Sequence, residues 1–246
     1  MWKGQSVSVV FPTYNEKESI RKAIEDFAHS GYVDEIVVVN NNAVAGTDDE
    51  VRKAKAKNVR IVYERAKQGM GWSTLKGLQS ARGDLVITAE PDGTFIGRDV
   101  EKLLLFSDEF DVVLGTRTTS ALIWEGANMG VFLKWGNWFI AKLIEIFFVT
   151  PHLSDAGCTL RLYRRRALKK ILPHMGGHGM YNYLNVQILV LCALAGIRFT
   201  EIATNFKNRG GGAGFTANKL RAFKLGLIMI GYLAGTRILS WFGRYP

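Results

Sequence analysis

Five short runs in the first half of the chain are almost continuously apolar and rich in β-branched residues. They are SVSVVFP, EIVVVN, VRIVYE, DLVITAE and DVVLGT, at 6–12, 35–40, 59–64, 84–90 and 111–116. Runs of that length with little alternation predict strands buried on both faces. Between them lie EKESIRKAIEDFAHS, DDEVRKAKAK, GMGWSTLKGLQSARG and RDVEKLLLFSD, whose apolar residues recur at helical spacing. Strand alternating with helix predicts βαβ crossovers and a mostly parallel sheet covered on both sides.

After about residue 120 the rhythm changes. WEGANMGVFLKWGNWFIAKLIEIFFV reads as a long aromatic helix, and TLRLYRR and IRFTEIA as further strands. Of the aromatics in that helix, Trp135, Trp138, Phe139, Phe147 and Phe148, at least half are expected in the core, and the remainder suit an interfacial helix. An apolar helix is expected near 184–195, a glycine-rich lid at 210–214 and an amphipathic helix at 223–246. No Pro- or Ser-rich linker divides the chain, so a single α/β domain over 1–222 is expected. Residues 1–119 would form one half and 120–222 the other.

Strand ends in an open parallel sheet gather at one edge, where ligands bind. FPTYNE, VVNNN, TAEPDG and GTR are four polar strand ends of this kind. In TAEPDGTF the acids Glu90 and Asp92 are two residues apart, so an extended backbone points both the same way. Paired carboxylates suit Mg²⁺ or Mn²⁺, which fill their remaining positions with substrate phosphate and water. A capped turn before the next helix is the competing explanation.

Composition narrows the partner. The chain has 246 residues, 48% of them hydrophobic, and a formal charge of +10, which favours an anionic partner. The two cysteines, Cys158 and Cys192, form no CxxC pair, so neither a disulfide framework nor a zinc ribbon is expected, and a reducing cytosol fits. The basic run RLYRRRALKK at 161–170 reads either as a solvated helix face or as a membrane-facing patch. No phosphate loop, nucleophile elbow or RNA-binding signature is present, so nucleic acid is not an expected partner. His174 and His178 have zinc-like spacing, but Gly176 and Gly177 between them argue for a loop. No run approaches the roughly 20 continuous apolar residues of a spanning helix. LGLIMIGYLAGT at 225–236, between Lys224 and Arg237, is expected to rest on a membrane or on the protein.

VSVVFPTYNE, KQGMGWSTLKGLQSARGD, EPDGTF, GTR and SDAGCTLRLYRRRAL occur in that order along residues 6–222. Together they resemble the family 2 glycosyltransferases of GT-A fold, in particular the branch of dolichol-phosphate mannose synthase and bacterial polyprenyl-phosphate glycosyltransferases. The resemblance implies a metal-dependent, inverting transfer of sugar from a UDP- or GDP-linked donor to a polyprenyl phosphate, at the cytoplasmic face of a membrane. It implies that Pro12, Tyr14 and Glu16 line base and ribose, that Asn40 faces the base, and that Lys67 and Gly71 lie beside the nucleotide. Glu90 takes the place of the first acid of the family's DxD motif and Asp92 that of its metal-binding second acid. Arg117 would approach the acceptor phosphate, Asp155 the reacting centre, and Arg209 the diphosphate.

Asn40 and Asn41 stand where relatives carry an aspartate pair, Glu90 is one methylene longer than the usual aspartate, and Thr94 replaces a glutamine. The family's long C-terminal transmembrane region is not matched. Two other readings remain. One is transfer to a glycan hydroxyl, for which Asp155 would act as the base, and the other is a catalytically weak protein that docks on membranes or a partner. The competing explanation for Asp155 is a helix cap or a partner for Arg161.

Overall fold

Val9 and Phe11 of the first strand are enclosed on one side of the central sheet and Val10 on the other. That alternation, repeated in each central strand, splits the core into two apolar layers with the sheet between them. The computed structural model describes residues 1–124, 127, 131–177, 183–208 and 219–243, with the side chains of 131, 219 and 221 excepted. The expected lid at 210–214, His178 and Arg209 lie outside the described residues.

Seven strands form one sheet: β1 Val7–Thr13, β2 Glu35–Asn40, β3 Val59–Tyr63, β4 Leu85–Thr88, β5 Val112–Thr116, β6 Arg161–Arg164 and β7 Phe199–Ala203. Their order is β3-β2-β1-β4-β6-β5-β7. β6 runs antiparallel to β4 and β5, and every other pairing is parallel. Six strands therefore end at one edge, and the segment entering β6 starts there too. Strand order reverses between β1 and β4, the position at which open α/β sheets leave a crevice.

α1 (Ile20–Ala28), α2 (Thr47–Lys53) and α4 (Asp99–Phe106) close one face through Ile20, Ile24, Phe27, Val51, Leu103 and Leu104. The other face carries α3 (Met70–Ser80), α5 (Val131–Phe148), α6 (Arg165–Ile171), α7 (Leu184–Leu194) and α8 (Lys219–Trp241). α7 is apolar all round and eight of its eleven residues are buried, so it is a core helix and not a membrane segment.

α8 lies along α5, with Leu233 fully buried and the rings of Tyr183 and Tyr232 4.8 Å apart. It begins earlier than the expected residue 223. By length and composition Ala222–Trp241 is apolar enough to cross a membrane, and only 11% of that stretch is buried. Across the aromatics of α5, Phe148 is buried and Phe147 packs on the core, but Trp135, Trp138 and Phe139 are exposed. Fewer than the expected half of the five are core residues, because the sheet beneath α5 is already filled by Ile140, Ala141 and Ile144.

The basic run is only in part the solvated helix face expected of it: Arg166, Lys169 and Lys170 are exposed, whereas the other arginines turn to the backbone. Arg161 is buried and donates to the carbonyls of Cys158, Ala156 and Asn185. Arg165 caps the carbonyls of Ala81 and Gly83, Arg164 donates to Ser107 O, and Arg166 pairs with Asp111. Ala81, Gly83 and Asp111 lie where strands begin, so most of these cations clamp the edge remote from the crevice.

α3 comes so close to the sheet that a Cβ at Gly77 would overlap Val10 Cγ1 and touch Val39 Cγ2. Alanine gains about 1 kcal/mol over glycine in a free helix, whereas overpacking costs about 1–3 kcal/mol. Gly77→Ala is therefore expected to lower the denaturation midpoint without changing the m-value in urea unfolding. An unchanged or raised midpoint would show that α3 can lift from the sheet at no cost.

Candidate active site

The crevice edge is built from turns that satisfy their own backbone. After β1, Glu16 Oε2 accepts from Tyr14 N at 2.7 Å, Asn15 N at 2.9 Å and Thr13 Oγ1 at 3.2 Å. Glu16 thus shapes the turn that presents the half-exposed ring of Tyr14, with Pro12 one strand position before Thr13.

Asn40, the last residue of β2, and Asn41 after it are both engaged. Asn40 Nδ2 donates to Asp48 Oδ1 at 2.6 Å, and its Oδ1 accepts from Ala43 N at 2.8 Å. Tyr63 OH donates to the other oxygen of Asp48. Asn41, buried, ties together the loop after β3: its Nδ2 donates to Glu64 O and Lys67 O, and its Oδ1 accepts from Gly69 N. Gly69 has φ 135°, which favours glycine, and it opens α3. Lys67 stands 3.8 Å from the Trp72 ring centroid, and Gly71 is buried in the first turn of α3. The two amides hold the loops after β2 and β3.

After β4, Asp92 is buried and its Oδ1 accepts from Thr94 N at 3.0 Å and Thr94 Oγ1 at 2.6 Å. Thr94 thereby orients the carboxylate, a use of the residue that the sequence did not announce. Glu90 Oε1 accepts from Thr159 Oγ1 at 2.9 Å. The acid loop is further held from the chain after β7, where Lys207 N donates to Thr94 O at 2.8 Å. Among the described residues no group of three or more His, Cys, Asp or Glu forms a metal cage. Two oxygen-ligand acids fit a hard divalent cation that takes its other ligands from a diphosphate and water.

At the end of β5, Arg117 meets Asp155 from the segment entering β6. Arg117 Nε donates to Asp155 Oδ2 at 2.7 Å and Nη2 to Oδ1 at 2.9 Å, a two-pronged pair. Backbone N–H groups of Arg117 and Gly157 complete the coordination of the carboxylate. Asp155 is wholly buried and the Arg117 side chain 14% exposed. Burial opposes both charges, but each partner outweighs it: the Arg117 guanidinium holds the Asp155 carboxyl below its usual range, and Asp155 holds the guanidinium above its own. Glu90 adds to the field felt by Arg117, so the acid loop and the ion pair belong to one site.

A general base needs a lone pair aimed at its substrate. Asp155 has four donors around its two oxygens, an arrangement suited to holding Arg117 and not to taking a proton. The Arg117 Nη1 edge, by contrast, makes no hydrogen bond among the described residues and remains available to an anion. The buried thiols of Cys158 and Cys192 are pushed up to about 12 by burial, and neither is a nucleophile at neutral pH.

Asp155→Asn leaves a buried guanidinium without its counter-charge, at a cost of about 3–5 kcal/mol. The folded pKa of Asp155 lies below the unfolded value of about 3.9. The stability it contributes is therefore complete above that value and is lost as pH falls through the folded one. Urea unfolding from pH 3 to 7 is expected to show the variant's deficit at neutral pH and its shrinkage at the acid end. A deficit that is constant with pH would remove the ion pair as its cause.

The model of the family described as glycosyl transferase family 2 matches residues 8–172. The low-salt glycan biosynthesis hexosyltransferase Agl6 of Haloferax volcanii is 28% identical over 171 residues, which cover 66% of this chain and 39% of that protein. A dolichyl-phosphate hexose transferase of the same organism is 26% identical over 210 residues, 83% of this chain and 84% of that protein. This chain thus spans about two fifths of the first relative and most of the second. Among solved structures, glucosyl-3-phosphoglycerate synthase of Mycobacterium tuberculosis, in complex with Mn²⁺, UDP and its product, superposes with a TM-score of 0.64 at 15% identity. The match covers 99% of this chain and 81% of that one, and it bears out the GT-A fold that the family resemblance implied. The same enzyme was also solved with Mg²⁺ and UDP. With two thirds of its length matched by the model, and with the acid loop, Arg117 and Asp155 gathered at one sheet edge, this chain belongs to glycosyl transferase family 2.

Proposed function

We propose that the protein transfers a sugar from a nucleoside diphosphate sugar to a polyprenyl phosphate at a membrane surface. The observation that carries this reading is the state of the ion pair at the crevice. Asp155, the residue best placed to serve as base for a hydroxyl acceptor, is consumed by Arg117, while Arg117 keeps one edge for an anion. A phosphate acceptor is already anionic and needs no base, so a site built this way suits it. The name of the dolichyl-phosphate hexose transferase relative points in the same direction.

In this reading the donor lies across the β1/β4 crevice. Pro12 and Tyr14 line its base, and Lys67 and Gly71 lie beside it. Glu90 and Asp92 would hold Mg²⁺ or Mn²⁺, which when bound stabilises the charge that collects on the departing nucleoside diphosphate. Arg117 positions the acceptor oxygen opposite the bond that breaks, and among the described residues neither buried cysteine offers a covalent nucleophile. Inversion at the anomeric carbon follows from a single displacement.

The lipid part of the acceptor fits the surface beside the crevice. α5 passes next to the catalytic turn, with the Asn137 side chain against Gly157. Trp135, Trp138, Phe139 and Ile146 of α5 are exposed, as are Phe223, Leu227, Ile228, Ile238 and Trp241 of α8. Two neighbouring helices with this much exposed aromatic and aliphatic surface, and with Lys134, Lys224 and Arg237 among them, suit the headgroup region of an anionic bilayer. A cytoplasmic location at the inner face of a membrane follows from the same reading.

The test uses purified protein, UDP-glucose or GDP-mannose, and undecaprenyl or dolichyl phosphate in anionic vesicles, with glycolipid product read by mass spectrometry. Transfer that requires Mg²⁺ or Mn²⁺ and falls at least about 100-fold in Asp92→Asn is expected. In the same samples the protein should sediment with vesicles, less so after Trp135→Ser and Trp138→Ser. Sugar appearing on the hydroxyl of a glycan supplied in a parallel sample, with polyprenyl phosphate inert, would replace this acceptor by the other one.

A further inference from the structure

We infer that Glu201 is a positioning residue for the reacting centre, fixing Arg117 through the Ser154–Asp155 turn. The inference deepens the functional reading above and rests on it for the role of Arg117.

Glu201 lies on β7, the edge strand, opposite Leu114 of β5. Its side chain reaches the segment that enters β6. Oε2 accepts from Ser154 N at 2.7 Å and from Ser154 Oγ at 2.6 Å, and Oε1 accepts from Asp155 N at 2.9 Å. One planar carboxylate thus receives three donors from two consecutive residues, and each of those residues holds Arg117 in its own way. Asp155 grips the guanidinium with both oxygens. Ser154 Oγ lies 2.9 Å from Thr116 Oγ1 and 2.8 Å from Thr118 Oγ1, and so ties down the residues on either side of Arg117. The backbone and the head of the arginine are both referred to a single acid.

The choice of an acid here is informative. Burial raises the Glu201 pKa, and the Asp155 charge adds to that rise, so a second carboxylate beside Asp155 is electrostatically unfavourable. The remaining side of Glu201 lines a surface groove of about 340 Å³ together with Lys102, Leu105 and Phe106. Glutamine would fill the same space without the repulsion. Its amide, however, has a single acceptor oxygen, and its NH₂ would face either the Asp155 N–H or the Ser154 donors. Only a carboxylate satisfies all three donors at once and keeps the turn in register. The other half of the turn is fastened independently: Arg161 donates to the carbonyls of Ala156 and Cys158, and Asn185 donates to Gly157 O. A change at Glu201 therefore frees Ser154 and Asp155 while the chain beyond them stays anchored.

The test compares wild type with Glu201→Gln, Glu201→Ala, Arg117→Lys and the double variant Glu201→Gln/Arg117→Lys. One arm measures sugar transfer. Glu201→Gln is expected to lower kcat about 10- to 100-fold while the donor KM stays within about twofold, since the nucleotide loops are not touched. The double variant should be no slower than Arg117→Lys alone within about twofold, because both changes act on one group. The second arm needs no activity: hydrogen exchange of the Arg117 Nε–H, read by NMR of ¹⁵N-arginine protein, should speed at least about tenfold in Glu201→Gln. Glu201→Ala serves as a second probe if the glutamine variant does not fold.

If wild type transfers no sugar, the functional reading fails, and the exchange arm alone decides the positioning claim. An unchanged Arg117 Nε–H in a folded Glu201 variant, or losses that multiply in the double variant, would overturn the inference.

Discussion

A guanidinium and a carboxylate cannot be buried together cheaply unless each satisfies the other, and the Arg117–Asp155 pair meets that condition with two short parallel hydrogen bonds. Much of the crevice follows from it. The pair fastens the end of β5 to the start of β6, and so sets where the antiparallel strand enters an otherwise parallel sheet. Around it, Arg161, Asn185 and Glu201 bind the backbone of residues 154–158 from three sides. A turn constrained this heavily is a fixed surface against which a charged substrate can be held, which is the preorganisation that electrostatic catalysis requires.

The two halves of the crevice solve different physical problems. In the loops after β2 and β3, amides do the joining: Asn41 links Glu64 and Lys67 through neutral hydrogen bonds, and Asp48 accepts from Asn40 and Tyr63. At the turn between β5 and β6, proposed above to meet the acceptor, the Arg117–Asp155 charges do it. Next to that turn run α5 and α8, whose exposed side is aromatic and aliphatic where a helix of a water-soluble protein would be polar. A charged mouth beside an apolar shoulder matches an acceptor with an anionic head and a hydrocarbon tail.

Much of this was legible in the sequence, because buried strands carry a strong apolar signal and strand ends in a parallel sheet fall on one edge. The strand ends FPTYNE, VVNNN, TAEPDG and GTR already implied a crevice shared by Glu90, Asp92 and Arg117, while only the family resemblance brought Asp155 to it. Partnerships that cross long stretches of chain were not legible. Nothing local marks Glu201 as the acceptor for Ser154 and Asp155, 46 and more residues earlier. Nor does RLYRRRALKK reveal that its arginines cap backbone carbonyls, since a charge run looks the same whether it faces water or a ring of carbonyl oxygens. The exposure of Trp135, Trp138 and Phe139 was hidden for a related reason: helical periodicity locates a face, but only the packing of α5 on the sheet and α8 tells which face is covered.

The claim on which the account turns is that the crevice selects an anionic lipid head through Arg117. The most direct measurement is calorimetric titration of farnesyl phosphate and of farnesol into the protein with UDP and Mn²⁺ present, for wild type and Arg117→Ala. The account predicts that wild type binds the phosphate at least about tenfold more tightly than the alcohol, a difference of about 1.4 kcal/mol, and that the variant binds both alike. Equal affinity for phosphate and alcohol in wild type would contradict it.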